Sequence, residues 1–93
     1  MATVTVKFYA GIREAAGMRS KEFEAEDISG LLSSLREKFG DEFMDVLLDE
    51  ETGELKRFYS CMVNGKRIEL LDGYDTALED GDRVAFFPPV GGG

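Results

Sequence analysis

The sequence predicts an α+β fold in which a mixed sheet of about five strands carries one main helix on one face. Three observations lead to this prediction. Residues 3–9 alternate between apolar and polar side chains, residues 27–40 repeat apolar residues with a helical period, and residues 83–87 form a short apolar segment typical of a strand. The chain has 93 residues, a length typical of one domain with one modest core.

The first strand is expected at residues 3–9, with the sequence TVTVKFY. Its apolar side chains fall on one face, as in a half-buried strand: Val4, Val6 and Phe8. Residues 10–17 are bracketed by glycines and are expected to form a connection. A weaker strand is predicted at residues 18–25, with Phe23 as its buried anchor, so the chain is expected to open with a hairpin.

The clearest helix is predicted at residues 27–40. Its apolar positions form one stripe: Ile28, Leu31, Leu32, Leu35 and Phe39. Asp27 is suited to cap the first free N–H groups, and Gly40 is suited to a left-handed conformation after the last turn. Gly30 is expected to weaken the first turn slightly.

The segment from residue 41 to residue 58 is ambiguous. Phe43, Met44 and Leu47 fit a short second helix, after which DEETGE (residues 49–54) is typical of an exposed turn. Seven acidic residues and no basic residue lie between positions 41 and 54. We expect them to form a solvated surface, because the alternating ligand spacing of a calcium loop is absent.

The second half of the chain contains the strongest turn signal, Asn64-Gly65, which predicts a tight hairpin. A turn-rich crossing is expected at residues 71–82, before a last strand at 83–87. The first and last strands are the most apolar, so we expect them to lie side by side and parallel in the centre of the sheet. This arrangement is that of the β-grasp, or ubiquitin-like, fold. Its second sheet face is expected to stay open to a partner.

Composition excludes several classes of function. The net charge of −8 disfavours nucleic acid and anionic membranes as partners and makes a basic protein groove a plausible one. The chain has no histidine and one cysteine, Cys61, so the commonest general base, an internal disulfide and a multi-cysteine zinc site are missing. Cys61 is expected to be a small buried strand residue. We predict a cytoplasmic protein with no bound metal, no bound cofactor and no active site of its own.

The end of the sequence, FFPPVGGG, calls for a separate explanation. Pro88-Pro89 lack the N–H groups that extend a sheet, and the following glycines have no side chains. We therefore expect a β-grasp domain at residues 1–87 and a flexible tail at residues 88–93. A disordered end is one interpretation. The other is a carboxylate on Gly93 that enters a narrow channel of an enzyme, where ATP is used to adenylate it.

The segments FYAGIREAAG and LEDGDRVAFFPPVGGG resemble the small subunit of molybdopterin synthase, the MoaD family. The resemblance covers most of the chain and is strongest over the last sixteen residues. The longer middle, residues 47–66, is similar to that of the small archaeal modifier proteins. Thiamine sulfur carriers share the Gly-Gly end but are usually shorter and lack the FFPPV run. Gly91 departs from the serine, alanine or threonine that often precedes Gly-Gly in these relatives, which should loosen the tail.

The resemblance implies a function, site residues and partners. Gly93 would be activated by an adenylating enzyme of the ubiquitin-activating type and converted to a thiocarboxylate that donates sulfur in molybdopterin biosynthesis. The large molybdopterin synthase subunit would be a second partner. The partner-binding residues would be Phe86, Phe87, Pro88, Pro89, Val90, Gly91 and Gly92. The alternative is a modifier that is joined through Gly93 to lysines of target proteins, with both roles combined as a further option.

Overall fold

A computed structural model of the chain describes residues 1–88. The strands are β1 (Ala2–Phe8), β2 (Ser20–Ala25), β3 (Ser60–Val63), β4 (Lys66–Arg67) and β5 (Arg83–Phe87). The α-helices are α1 (Ala10–Ala16), α2 (Ile28–Phe39) and α3 (Asp41–Leu47), and two short 3-10 turns lie at Ile68–Leu70 and Gly73–Asp75. Within these residues, none of the helices has the length and apolar character needed to cross a membrane.

The strands form one mixed sheet in the order β2-β1-β5-β3-β4. β1 and β5 pair in parallel at its centre, with Val6 opposite Val84 and Phe8 opposite Phe86, and the other neighbours are antiparallel. This confirms the predicted fold class and the central parallel pair. The physical reason is burial, because alternate side chains of both strands lie in the core and are at most 7% exposed.

The predicted helix at residues 27–40 is confirmed as α2. Asp27 caps it by accepting a hydrogen bond from the Gly30 N–H at 2.7 Å. A Cβ at position 30 would lie 3.1 Å from the same carboxylate oxygen, so Gly30 makes room for the cap. Gly40 has the expected positive φ of 89°, but its ψ of 178° lies outside the left-handed helical region. The expected left-handed conformation is therefore wrong in ψ, and Gly40 instead leads directly into α3.

Residues 10–17 connect the first two strands as predicted, but they are not a loop, because residues 10–16 form the helix α1. Ile12 and Ala16 lie four residues apart, so they share one face of the helix, and both are buried. Gly17 ends the helix with a φ of 75°, and its N–H donates to the Arg13 carbonyl at 2.9 Å. Gly17 thus ends the helix. The two strands of the predicted opening hairpin are β1 and β2, and α1 lies between them in the sequence.

Two further predicted features are confirmed. α3 buries Phe43, Met44 and Leu47, and an exposed turn follows it at residues 49–54. The Asn64-Gly65 turn joins β3 to β4, with φ values of 51° and 85°, as a type I′ turn requires. The rings of Phe8, Phe39 and Phe43 pack against one another with centroids 4.7–5.9 Å apart, which ties α2 and α3 to the centre of the sheet.

Candidate docking surface at the end of β5

The predicted site residues divide into two groups at Pro88. Gly93, the expected activated residue, lies outside the described residues, as do four predicted partner contacts: Pro89, Val90, Gly91 and Gly92. Phe86 is fully buried, so its side chain packs in the core and is not on the surface. Phe87 and Pro88 are half-buried, and they are the predicted contacts that the described surface presents.

The start of β5 is held by two carboxylates, Asp80 and Asp82, which lie at the end of the turn-rich crossing predicted at residues 71–82. Asp80 accepts a hydrogen bond from the Thr3 N–H at 2.8 Å, at the start of β1. Asp82 accepts from the Glu79 N–H and from the Asn64 side-chain amide, both at 2.9 Å. The Asn64 side-chain oxygen in turn accepts from the Arg83 N–H at 2.9 Å. These bonds connect β5 to both neighbouring strands and fix the direction in which it runs.

The end of β5 is held by an aromatic stack. The rings of Tyr9 and Phe87 lie 4.8 Å apart between centroids and 13° from parallel. The backbone of Tyr9 is itself fixed, because its carbonyl accepts the first hydrogen bonds of α1 from Ile12 and Arg13. Tyr9 was predicted only as the last residue of the first strand, with no role at the site. The pairing of Phe8 with Phe86 brings the next residues, Tyr9 and Phe87, side by side. The chain thus enters the C-terminal segment, residues 88–93, from a rigid position.

Beside this stack the open face of the sheet forms a shallow depression of about 530 Å³. We call it the docking depression. Its main lining side chains are Lys7, Tyr9, Met62, Arg83, Ala85 and Phe87. An apolar floor with cations at its margin is suited to contact with a protein surface. The open face was expected from the fold, but these individual residues were not.

Cys61 was predicted to be buried, and this is confirmed by its exposure of 1%. Burial, reinforced by the nearby Glu69 carboxylate, raises the pKa of its thiol to about 12. The thiolate, which is the nucleophilic form, is therefore scarce near neutral pH. Among residues 1–88, no group of three or more potential ligand side chains could hold a metal ion.

The chain is similar to known proteins over nearly its whole length. The model of the ThiS family matches residues 6–93. The chain is 36% identical to small archaeal modifier protein 3 of Haloferax volcanii over 91 residues, which covers 95% of this chain and 96% of that protein. It is 28% identical to the sulfur carrier protein CysO of Mycobacterium tuberculosis, with 97% of this chain and 98% of that protein covered.

Solved structures share the fold. The solution structure of small archaeal modifier protein 1 from Methanosarcina acetivorans superimposes with a TM-score of 0.87 at 33% identity, covering 100% of this chain and 98% of that one. A putative molybdopterin converting factor subunit 1 from Pyrococcus furiosus gives 0.73 at 26% identity, with 97% and 100% covered. A chain of the BexX/CysO complex of Amycolatopsis orientalis gives 0.82 at 25% identity, with 97% and 99% covered.

Proposed function

This chain belongs to the ThiS family of ubiquitin-like sulfur carriers and modifiers, and on that premise we propose that Gly93 is its reactive residue. A carboxylate oxygen of Gly93 attacks the α-phosphorus of ATP in a partner enzyme, and pyrophosphate leaves. Hydrosulfide, supplied as the sulfur source, then attacks the acyl carbon through its sulfur atom; the bond from that carbon to the phosphate oxygen breaks, AMP leaves, and the remaining S–H proton is lost to water. The product, a thiocarboxylate, passes sulfur to the pterin precursor of molybdopterin.

The arrangement of β5 is the observation that carries this proposal. A strand held at both ends, by Asp82 at its start and by the Tyr9–Phe87 stack at its end, leads straight to Pro88. The glycines that follow in the sequence have no Cβ, so they permit close approach of an enzyme to the backbone. The resemblance of FFPPVGGG to the MoaD family and the match to the Pyrococcus furiosus protein favour molybdopterin as the pathway.

A protein modifier is the second candidate, because two of the proteins similar to this chain are named small archaeal modifier proteins. In this function the acyl group of Gly93 is transferred to a lysine amine and forms an isopeptide bond. Adenylation is the first step in both functions, so both would use the same strand, β5, and the same glycines at the end of the sequence.

The test measures the intact mass of the protein after incubation with an adenylating enzyme of the ubiquitin-activating type, ATP and a sulfur source. A sulfur carrier gains the mass difference between sulfur and oxygen, and a variant that lacks Gly92 and Gly93 does not. Transfer of the sulfur to a pterin precursor by a large molybdopterin synthase subunit then tests the pathway. Absence of any mass change, with the enzyme active on its own carrier, would overturn the proposal.

The modifier function is tested in cells that produce an epitope-tagged form of the protein. Tagged bands of higher mass that contain a Gly93–lysine isopeptide after proteolysis support conjugation. If only the free protein and its thiocarboxylate are recovered from the cells, the modifier candidate is wrong.

A further inference from the structure

A second concave surface lies next to the docking depression, where β1 ends and α1 begins. It has a volume of about 360 Å³, and we call it the cationic cleft. Its lining residues are Lys7, Phe8, Tyr9, Arg13, Arg19 and Ser20. Lys7 and Tyr9 also line the docking depression, so the two surfaces are continuous. The cleft therefore borders the point from which the C-terminal segment departs.

Three separate parts of the fold bring the cations of the cleft together. Lys7 comes from the end of β1, Arg13 from the last turn of α1, and Arg19 from the link before β2. Their backbones are held, because the Arg13 carbonyl accepts from the Gly17 N–H at 2.9 Å and the Arg19 carbonyl accepts from the Phe8 N–H at 2.8 Å. The cluster is thus a product of the tertiary structure, since no run of basic residues exists in the sequence.

These cations have no counter-ions within the described part of the chain. Its ion pairs join Arg36 to Asp41 and Arg67 to Glu69 and do not include Lys7, Arg13 or Arg19. All three side chains of the cleft are exposed. Like charges held close together repel, so the cluster does not favour folding. An anionic partner would convert this repulsion into binding free energy.

The charge of the cleft is opposite to that of the whole protein. The chain carries 19 acidic and 11 basic residues, yet no acidic residue lines the cleft. The nearest acidic position on β2 along this face is Glu22, which pairs with Thr5 and not with Lys7. A net charge of −8 repels a long polyanion such as nucleic acid at a distance. A folded protein partner is repelled less than a long polyanion, because only the few carboxylates on its contact surface come close to this chain, and those meet the cleft.

We infer that the cationic cleft binds carboxylate side chains on the surface of the activating enzyme, and this inference rests on the proposed function. The apolar docking depression would contact the same protein, because the two surfaces are continuous. Ion pairs at the margin of an apolar contact act mainly on association, because they speed the encounter of the partners and disfavour wrong partners. Here they guide the domain onto the enzyme and so lower the KM of the adenylation reaction for this protein.

The test compares two variants with equal net charge. The cleft variant carries Lys7→Ala, Arg13→Ala and Arg19→Ala. The control variant carries Lys38→Ala, Arg57→Ala and Lys66→Ala, which removes the same charge from exposed sites away from the cleft. The rate of adenylation is measured by ATP–pyrophosphate exchange, with the concentrations of the activating enzyme and of ATP held constant. Circular dichroism and a urea unfolding curve establish whether each variant is folded. If the cleft variant is unfolded, the single variant Arg19→Gln replaces it.

We expect the KM of the cleft variant for the enzyme to rise roughly tenfold to a hundredfold, as the loss of three interface charge pairs implies, with kcat changed less than about twofold. The control variant should differ from the wild type by less than about threefold in KM. Added salt should raise the KM of the wild type and leave that of the cleft variant nearly constant, because salt screens the interaction that the variant lacks.

Two outcomes would overturn the inference. One is equal KM values for the cleft and control variants while the wild type is adenylated normally. The other is tight binding of inorganic tripolyphosphate to Lys7, Arg13 and Arg19 in an NMR titration, since the occupant would then be a phosphate group and not a protein carboxylate. If the wild type itself is not adenylated, the proposed function fails, and that result is distinct from either of these.

Discussion

At the scale of single residues, the proposed chemistry depends on a position that has no side chain. Gly93→Ala adds one Cβ next to the carbonyl carbon that must be activated, at a position six residues after the end of β5 in the sequence. We expect the free energy of unfolding to stay unchanged and adenylation to fall by at least about a hundredfold, because a close fit to the backbone tolerates no added carbon. Urea unfolding and pyrophosphate exchange measure the two effects. Full adenylation of the alanine variant would show that steric exclusion is the wrong explanation.

Cys61 provides a prediction about pH. Burial, with a smaller effect of Glu69, raises the pKa of its thiol from 9.0 to about 12 in the folded protein. The unfolded chain therefore loses the proton first as pH rises, and the contribution to stability that is complete below about pH 9 is lost towards pH 12. Relative to Cys61→Ala, we expect the free energy of unfolding to fall by about 1.4 kcal/mol per pH unit in this range. Parallel curves for the two proteins would contradict this.

At the scale of elements, α1 shows what a local pattern leaves undetermined. Its seven residues carry two buried apolar positions, Ile12 and Ala16, too few to display a helical period between two glycines. By contrast, α2 was predictable because five apolar positions repeat over its length and Asp27 marks its start. The helix α1 forms because tertiary packing buries its short apolar face, which supplies the free energy that local propensity does not.

Gly11 lies in the first turn of α1 and Gly17 follows its last turn, and a matched pair of variants separates their roles. Gly17 has a φ of +75°, which an alanine adopts only with strain, whereas Gly11 has no positive φ and a Cβ there would meet no atom within 4 Å. We expect Gly17→Ala to destabilise the protein by about 1 kcal/mol and Gly11→Ala to stabilise it by about 0.4–1 kcal/mol. Urea unfolding measures both. Equal effects of the same sign would show that residues 10–17 are not a helix ending at Gly17.

The phase of α2 is tested in the same way. Leu35 is fully buried, whereas Leu32 on the same stripe is partly buried at its margin. We expect Leu35→Ala to lower the free energy of unfolding by about 2–5 kcal/mol, because it leaves a cavity in the core, and Leu32→Ala to lower it by less. The two substitutions remove the same atoms from the same helix, so a reversed order would mean that the buried face has been assigned incorrectly.

At the scale of the whole molecule, the central parallel pair could be predicted because β1 and β5 are the most apolar strands. The candidate site was only partly predictable. Phe87 and Pro88 were identified from their place in the FFPPV run, but the stack of Tyr9 on Phe87 depends on which residue of β1 faces which residue of β5. The cationic cleft depends on three elements meeting. Neither strand register nor contacts between elements that are distant in the sequence leave a periodic signal in a single sequence.

The distribution of charge over the whole protein gives a last prediction. Two hydrogen bonds organise the acidic turn at residues 49–54. The Asp49 side chain accepts from the Glu51 N–H at 2.8 Å, and the Asp49 N–H donates to the Glu54 carbonyl. An asparagine at position 49 keeps both bonds, because its side-chain oxygen is also an acceptor. The substitutions Asp49→Asn, Glu50→Gln and Glu51→Gln should therefore change the free energy of unfolding by less than about 0.5 kcal/mol.

The sign of that small change follows from the net charge of −8. Removing three negative charges reduces self-repulsion, so the variant should be slightly more stable than the wild type at low salt and equal to it at high salt. Glu14→Gln, Glu37→Gln and Glu42→Gln are the control, because they neutralise three exposed acids elsewhere. Urea unfolding at two salt concentrations measures the effect. If only the turn variant weakens binding to the activating enzyme, the acidic turn belongs to the docking surface and is not merely a solvated face.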